Sequence, residues 1–339
     1  MMNIGIVGGG IRGRTYAQSL AGYPGAHVRA VCDLNEKVAQ ELADDFGLAA
    51  YVDHRVMLER TDLDAVIVAT PDFAHREIAV DAARVGAHLL IEKPLATSAE
   101  DCAAIGAAVR DAGVQCMVGF ENRWNPAIRR VRDLSASGVL GDVLTQNILL
   151  SNTYYVPMTM IPWAAKSSPA WFLMSHTVDA ALWVADKQAV SVVARGSRGR
   201  LAELGVDTWD VIHALLTFSD GTTANLTSTW VLPDSSPSIV DFQYKAVGSK
   251  SAVDVDLQHQ SVSLTGDSYS WPGLMGGEID GRLQGPPTWM VQSFVDRINA
   301  GEPVGPGLDQ GVLVSDIVLA VLRSLETGEP TPIHASPSR

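Results

Sequence analysis

The sequence predicts a doubly wound α/β domain with a parallel sheet, followed by an α+β domain built on a large, mainly antiparallel open sheet. Three observations carry that prediction. An apolar strand at 4–7 runs straight into Gly8-Gly9-Gly10-Ile11-Arg12-Gly13, strand and helix patterns alternate up to about residue 118, and beyond residue 210 apolar segments are joined by short turns.

The first turn has a mechanical reading. Gly8 permits the tight bend from strand to helix, Gly10 lets the backbone approach a pyrophosphate, and Gly13 lets the following helix pack closely on the sheet. Ile11 and Arg12 complete the helix start, where unpaired N–H groups and the positive end of the dipole favour anions. A second apolar run, 28–32, ends at Asp33, twenty residues after Gly13, where a carboxylate accepts hydrogen bonds from the ribose hydroxyls of an adenosine. A 2′-phosphate would meet that carboxylate, and Leu34 brings no positive charge, although Lys37 lies in the same loop. The expected cofactor is therefore NAD, with NADP less favoured, on a Rossmann domain.

Further strands at 65–69, 88–91 and 115–118 alternate with helical patterns at 75–85 and 98–112. In such a sheet the ligand lies at the carboxyl ends of the strands, so the residues just after each strand matter most. These are 8–12, Asp33, Thr70-Pro71-Asp72, Glu92-Lys93-Pro94 and Gly119-Phe120. With no low-complexity linker, the expected division is 1–122 for the NAD-binding domain and 123–339 for a substrate-binding and oligomerisation domain.

The second part reads differently. Segments 211–218, 222–231, 240–247 and 252–257 alternate or run apolar, joined by turns such as Ser219-Asp220-Gly221 and Gly248-Ser249-Lys250, which implies antiparallel pairing. Helical patterns at 124–136, 173–185, 289–299 and 309–326 frame these strands and are expected to cover one face of the sheet. Several strands read apolar on both sides, so the other face is expected to be solvated or buried in a partner subunit, as a homodimer or homotetramer.

Composition agrees with a two-domain enzyme. The chain has 339 residues, 47% hydrophobic and 19% charged, and a formal net charge of -13 argues against nucleic acid or an anionic membrane as partner. Met1-Met2-Asn3 leads directly into the first strand and no apolar run approaches 18 residues, so a cytoplasmic location is expected. Cys32, Cys102 and Cys116 form no C-x-x-C pair and read as reduced core thiols; no metal site is expected.

Five motifs together resemble one family. Gly8-x-Gly10-x-x-Gly13, Ala69-Thr70-Pro71 with His75, Glu92-Lys93-Pro94, Gly119-Phe120-x-x-Arg123-Trp124-x-Pro126 and His176-x-x-Asp179 are similar, in order and spacing, to the Gfo/Idh/MocA oxidoreductases, named for glucose-fructose oxidoreductase, inositol dehydrogenase and rhizopine catabolism protein. The resemblance runs through the carboxy-terminal pattern at 289–294 and 309–328. It implies a Rossmann domain, an open-sheet domain that forms the oligomer interface, and oxidation or reduction of a sugar, inositol or related polyol hydroxyl with NAD(H) or NADP(H).

Taking a hydride from a secondary alcohol needs its carbon against the nicotinamide and a base for the hydroxyl proton. Lys93 sits just after a strand at the cofactor edge, and Pro94 restrains its backbone. The resemblance implies that this lysine contacts the reacting hydroxyl and the nicotinamide ribose, and that the Lys-Pro bond is often cis. It also implies that His176 accepts the proton or orients the substrate. The chain departs from the family pattern at Phe172, where many members carry an aspartate in D-x-G-x-H; here the run is Phe172-Leu173-Met174-Ser175-His176. Tyr154, Tyr155, Lys166 and Ser175 are the polar groups nearest in sequence that could replace it. Asn122, Asn152, Tyr155 and Trp163 complete the expected substrate site, since a polyol pocket combines amide groups with an aromatic wall. Two other readings compete with the dehydrogenase: an NAD-dependent glycosidase working by transient oxidation and elimination, and a non-catalytic sugar and dinucleotide sensor.

Overall fold

A computed structural model describes residues 1–258, 264–265, 269–270 and 277–333. It divides into two compact units, Met1–Trp124 with Gly276–Ser315, and Asn125–Met275 with Asp316–Arg339.

The first unit opens with β1 (Met2–Val7), α1 (Ile11–Leu20), β2 (Ala26–Cys32), α2 (Glu36–Phe46), β3 (Ala49–Tyr51), α3 (His54–Arg60), β4 (Ala65–Val68), α4 (His75–Arg84), β5 (His88–Ile91), α5 (Ala99–Ala112) and β6 (Cys116–Val118). The six strands pair in parallel in the order β3-β2-β1-β4-β5-β6. That order reverses between β1 and β4, which places the ligand crevice at the carboxyl ends of these strands. Local chemistry sets the helix limits: Asn35, Asp53 and Ser98 cap α2, α3 and α5 through side-chain oxygens, and α2 and α5 stop at left-handed Gly47 and Gly113. All four residues of β4 are fully buried, as expected of a parallel strand covered on both faces.

The second unit contains α6 (Pro126–Ala136), β7 (Val143–Thr153), α7 (Ser175–Ala185), β8 (Ala189–Arg198), α8 (Arg200–Glu203), β9 (Trp209–Phe218), β10 (Thr223–Leu232), β11 (Val240–Gly248), β12 (Ala252–Asp256) and the short pair β13 (Leu264–Thr265) and β14 (Tyr269–Ser270). The chain then returns to the first unit with β15 (Gly277–Ile279), β16 (Arg282–Gln284), α9 (Pro286–Ala300) and the start of α10 (Leu308–Thr327), and closes in the second unit with β17 (Thr331–Pro332).

The large sheet runs β12-β11-β7-β10-β9-β8-β17. Its neighbours are antiparallel except β7 and β10, which pair in parallel. One face is covered by α7: Gln146 of β7 donates from Nε2 to the Ala181 carbonyl at 3.1 Å and accepts from the Tyr244 hydroxyl. The opposite face is less apolar than the sequence suggested. Its exposed positions include Asn147, His213, Asn225, Gln243 and Lys245 with Leu215, so β10 and β11 alternate, while β9 keeps Val211 and Leu215 on this face.

A second correction concerns α9. The helical pattern at 289–299 was expected beside the second sheet, but Met290, Val291, Phe294 and Val295 sit in one core with Ile4, Ile6, Tyr16 and Leu20 of the first unit. Its apolar stripe shares that core with Tyr16, Ala17 and Leu20 of α1, and burying each large side chain there contributes roughly 1.5–3 kcal/mol. The expected division at 122/123 takes no account of this return. Among the described residues no helix is long and apolar enough to cross a membrane, and the three cysteines are buried free thiols.

Candidate active site

Eleven of the expected residues lie at the carboxyl edge of the parallel sheet. The backbone ladder runs right up to them: the Gly8 N–H donates to Cys32 O at 2.8 Å, Ala69 N–H to Val7 O at 2.7 Å, and Glu92 N–H to Val68 O at 2.9 Å. Gly8 has φ of +100°, and a Cβ there would strike the Ala69 carbonyl. A Cβ at Gly13 would overlap the carbonyl oxygen of Gly8, so the helix lies against the strand end as closely as the backbone permits. Gly10 is the opposite case: a Cβ would meet nothing within 4 Å. Ile11 is 64% exposed, so what it offers a phosphate is its backbone N–H.

The Asp33 carboxylate is held on both oxygens. Gly9 N–H donates to Oδ2 and Asn35 N–H to Oδ1, each at 2.8 Å, which fixes the acid while leaving lone pairs for hydroxyl donors. In the turn after β4, Pro71 precedes buried Asp72, and the Thr70 Oγ1 is buried without a hydrogen-bond partner among the described residues. An open cradle at Gly10, an oriented carboxylate and an orphaned hydroxyl fit a dinucleotide along this edge.

Lys93 is buried, at 8% exposure, on the turn after β5, and its bond to Pro94 is cis. Burial pulls its pKa below the usual lysine value, and Arg12 adds to that effect while Glu92, Glu121 and Asp72 oppose it. Glu92 is less a ligand for the cofactor than a brace for the turn: its Oε2 accepts the Lys93 backbone N–H at 3.1 Å and its Oε1 accepts the Tyr16 hydroxyl. Arg12 points its guanidinium at two carboxylates, Nη1 lying 2.7 Å from Glu121 and Nε 3.5 Å from Glu92. Burial opposes its charge, but Glu121 and Glu92 outweigh that and hold its pKa above the ordinary arginine value. Its side-chain charge is thus engaged by Glu121 and Glu92, which leaves its backbone as the part that fits a pyrophosphate. His75 ties two turns together, with Nδ1 2.9 Å from the Pro94 carbonyl and Nε2 3.1 Å from that of Thr70. Asn122 is buried in the turn after β6.

The second unit holds the other expected residues. His176 is the second residue of α7 and 7% exposed, with Asp179 fully inside the same helix. Phe172 lies on a π-helical turn, Ala170–Met174, that leads into α7. Where many family members have a carboxylate, its ring packs 6.1 Å from Trp163 and 5.7 Å from Trp230, the latter edge to face. Asn152 is the last residue but one of β7; its Nδ2 donates to Ile239 O at 3.3 Å, and its Oδ1 is buried without a partner among the described residues. Ser228 Oγ and Trp230 Nε1 on β10 are in the same state, on the α7-covered face, since Ser228 pairs with Leu150. Tyr155 is 43% exposed, and its backbone N–H donates to Asp234 at 2.8 Å. Among the described residues no group of three or more His, Cys, Asp or Glu side chains is arranged to hold a metal ion.

Tyr16, Ser228 and Trp230 carry no site role in the sequence reading, whereas His75 stands there in the Ala69-Thr70-Pro71 motif. Tyr16 had a legible signal, because it falls four residues after Arg12 on one helix face. Trp230 had none, since one tryptophan in an apolar strand reads as core.

The chain matches two family descriptions. Residues 2–120 match the Gfo/Idh/MocA oxidoreductase family with its NAD-binding Rossmann fold, and 128–254 match the Gfo/Idh/MocA C-terminal domain. Inositol 2-dehydrogenase 2 of Saccharopolyspora erythraea is 27% identical over 99% of this chain and 96% of its own. Levoglucosan dehydrogenase of Pseudarthrobacter phenanthrenivorans is 27% identical over 67% of each. Among solved structures, scyllo-inositol dehydrogenase of Lactobacillus casei, with bound NAD(H) and scyllo-inositol, superposes with a TM-score of 0.82 over 98% of this chain and 99% of that one, at 18% identity.

Proposed function

Since the chain belongs to the Gfo/Idh/MocA family of NAD-binding oxidoreductases, we propose that it moves a hydride between nicotinamide and a secondary hydroxyl or ketone of a sugar, inositol or related polyol. The observation that carries the reading is Lys93, a buried lysine on a braced turn at the carboxyl edge of the parallel sheet, beside Glu92 and Asp72. When bound, NAD supplies the hydride acceptor. Asp33 holds the adenosine ribose, the N–H groups of 10–12 receive the pyrophosphate, and Thr70, Pro71 and Asp72 border the nicotinamide half.

Lys93 binds the reacting hydroxyl, and its lowered pKa lets the side chain take up or return that proton closer to neutrality than a free lysine. His176 is assigned to the same proton transfer, as acceptor or orienting group. Asn122, Asn152, Tyr155 and Trp163 recognise the substrate, and the partly exposed Trp163 and Phe172 rings, backed by buried Trp230, offer an apolar wall for the C–H face of a polyol. Phe172 cannot relay a proton, so a relay through His176 takes its partner from a position other than 172.

None of the relatives named above is a glycosidase or a sensor. The enzyme is proposed to work in the cytoplasm as a homodimer or homotetramer, with the outward face of the large sheet as its interface. Purified protein with NAD⁺ and a panel of inositols and sugars, followed by the near-ultraviolet absorbance of reduced nicotinamide, tests the activity. Turnover with one ring polyol is expected; substrate cleavage without net NADH would favour the glycosidase, and no turnover in either direction would count against both.

A further inference from the structure

We propose that Arg12 and Tyr16 are positioning residues for Lys93, clamping the Glu92 carboxylate from one face of α1 and so fixing the turn that carries the lysine. The spacing comes first: residues four apart on a helix share a face, so both side chains leave α1 toward the same neighbour. That neighbour is Glu92, whose side chain is 7% exposed. Its Oε1 accepts the Tyr16 hydroxyl and lies 3.5 Å from Arg12 Nε, while Oε2 accepts the backbone N–H of Lys93 at 3.1 Å. The carboxylate is thus held at one end by α1 and holds the lysine backbone at the other.

Arg12 needs a reason to be there. It is the second residue of α1, where the helix dipole disfavours a cation, and its side chain is only one-third exposed. Glu92 and Glu121 together offset both costs. A simple core would place an apolar side chain at this point; an arginine bridging two carboxylates instead links the glycine turn, the Lys93 turn and the turn after β6. The groups facing Lys93 are Glu92 on its own turn, Arg12 from α1, Glu121 after β6 and Asp72 after β4, with Tyr16 acting through Glu92 and His75 against the Pro94 carbonyl. Of these, Arg12 is the one that favours the neutral amine by its charge.

The proposal rests on Lys93 being the proton-transfer group, so its test includes a measurement that needs no substrate. In the full-length protein without cofactor, the rate at which fluorodinitrobenzene labels Lys93 is followed against pH by peptide mass spectrometry. In Arg12→Gln the labelling midpoint is expected to move up by about one pH unit, the usual size of a neighbouring-charge effect. Arg12→Lys, which restores the charge, brings it back toward the wild-type position. Tyr16→Phe, which removes one oxygen and little volume, keeps the fold and lowers kcat for the polyol about tenfold while KM for NAD changes less than twofold, the loss expected for one charge-assisted hydrogen bond. An unmoved midpoint in Arg12→Gln together with unchanged kcat in Tyr16→Phe overturns the proposal. If Arg12→Gln does not fold, the kcat against KM split in Tyr16→Phe decides alone. If no polyol is turned over by the wild type, the labelling midpoints decide alone, and the failure belongs to the dehydrogenase reading.

Discussion

One methyl group added at Gly10 and, separately, at Gly13 tells ligand space from packing space within a single turn. At Gly10 the backbone has φ of −67° and ψ of −158°, which alanine adopts without strain, and the new Cβ meets nothing within 4 Å. Gly10→Ala therefore keeps the fold; losing unfolded-state freedom adds about 0.4–1 kcal/mol, a rise of roughly 1–4 °C in Tm. The same methyl would fill the open space that the proposed pyrophosphate site needs. Losing one charge-assisted N–H contact of about 1.5–3 kcal/mol weakens NAD binding roughly 10- to 100-fold. At Gly13 the Cβ overlaps the Gly8 carbonyl oxygen, a backbone atom that cannot swing aside. Overpacking of this kind costs about 1–3 kcal/mol, so Gly13→Ala lowers Tm by several degrees. Thermal melts with and without NAD, plus a fluorescence titration of the cofactor, read both effects. A Gly10→Ala protein that binds NAD within twofold of wild type would refute the cradle, and a Gly13→Ala protein with unchanged Tm would refute the close packing.

Three further outcomes follow from the same geometry. Lys93→Met lowers kcat about 10²- to 10⁴-fold, the usual contribution of a positioned proton-transfer group, while keeping the fold. Because the folded lysine titrates below its ordinary 10.5, the unfolded chain binds more protons in the window between the two values and wild-type stability rises with pH there; the Tm gap between wild type and Lys93→Met should narrow as pH climbs toward 10.5. Asp33→Ser removes the acceptor that Gly9 and Asn35 orient, and should raise KM for NAD roughly 10- to 100-fold while narrowing the preference over NADP in parallel steady-state assays. Phe172→Ala takes away the ring between Trp163 and Trp230, so KM for the polyol should rise with KM for NAD unchanged; equal effects on both would contradict a substrate-facing wall.

The gathering of the expected cofactor residues at one sheet edge was legible because it is set by local strand ends. Gly8 to Gly13 and Asp33 begin right after a strand, and Thr70 and Lys93 come one residue later, so strand periodicity alone brings them to one edge. What the strand pattern left out depends on long-range packing. Nothing near residue 289 says that α9 returns to the first unit, because its apolar stripe fits either sheet equally well. The roles of Arg12 and Glu92 changed for a similar reason: sequence placed them near phosphate and nicotinamide, but their charges are directed at each other and at Glu121 across three turns. Phe172 was visible as a departure, yet only tertiary structure gives it the Trp163 and Trp230 rings as neighbours.

Hydride transfer from a polyol carbon to the cofactor is the proposed reaction. Inositols and sugars carrying deuterium on their ring carbons, incubated with the protein and NAD⁺, test it through the mass of the nicotinamide product. The expected product is NADH carrying one deuterium from the oxidised carbon, formed with an equal amount of ketone and lost in Lys93→Met. Ketone or cleavage product with no labelled NADH would contradict it.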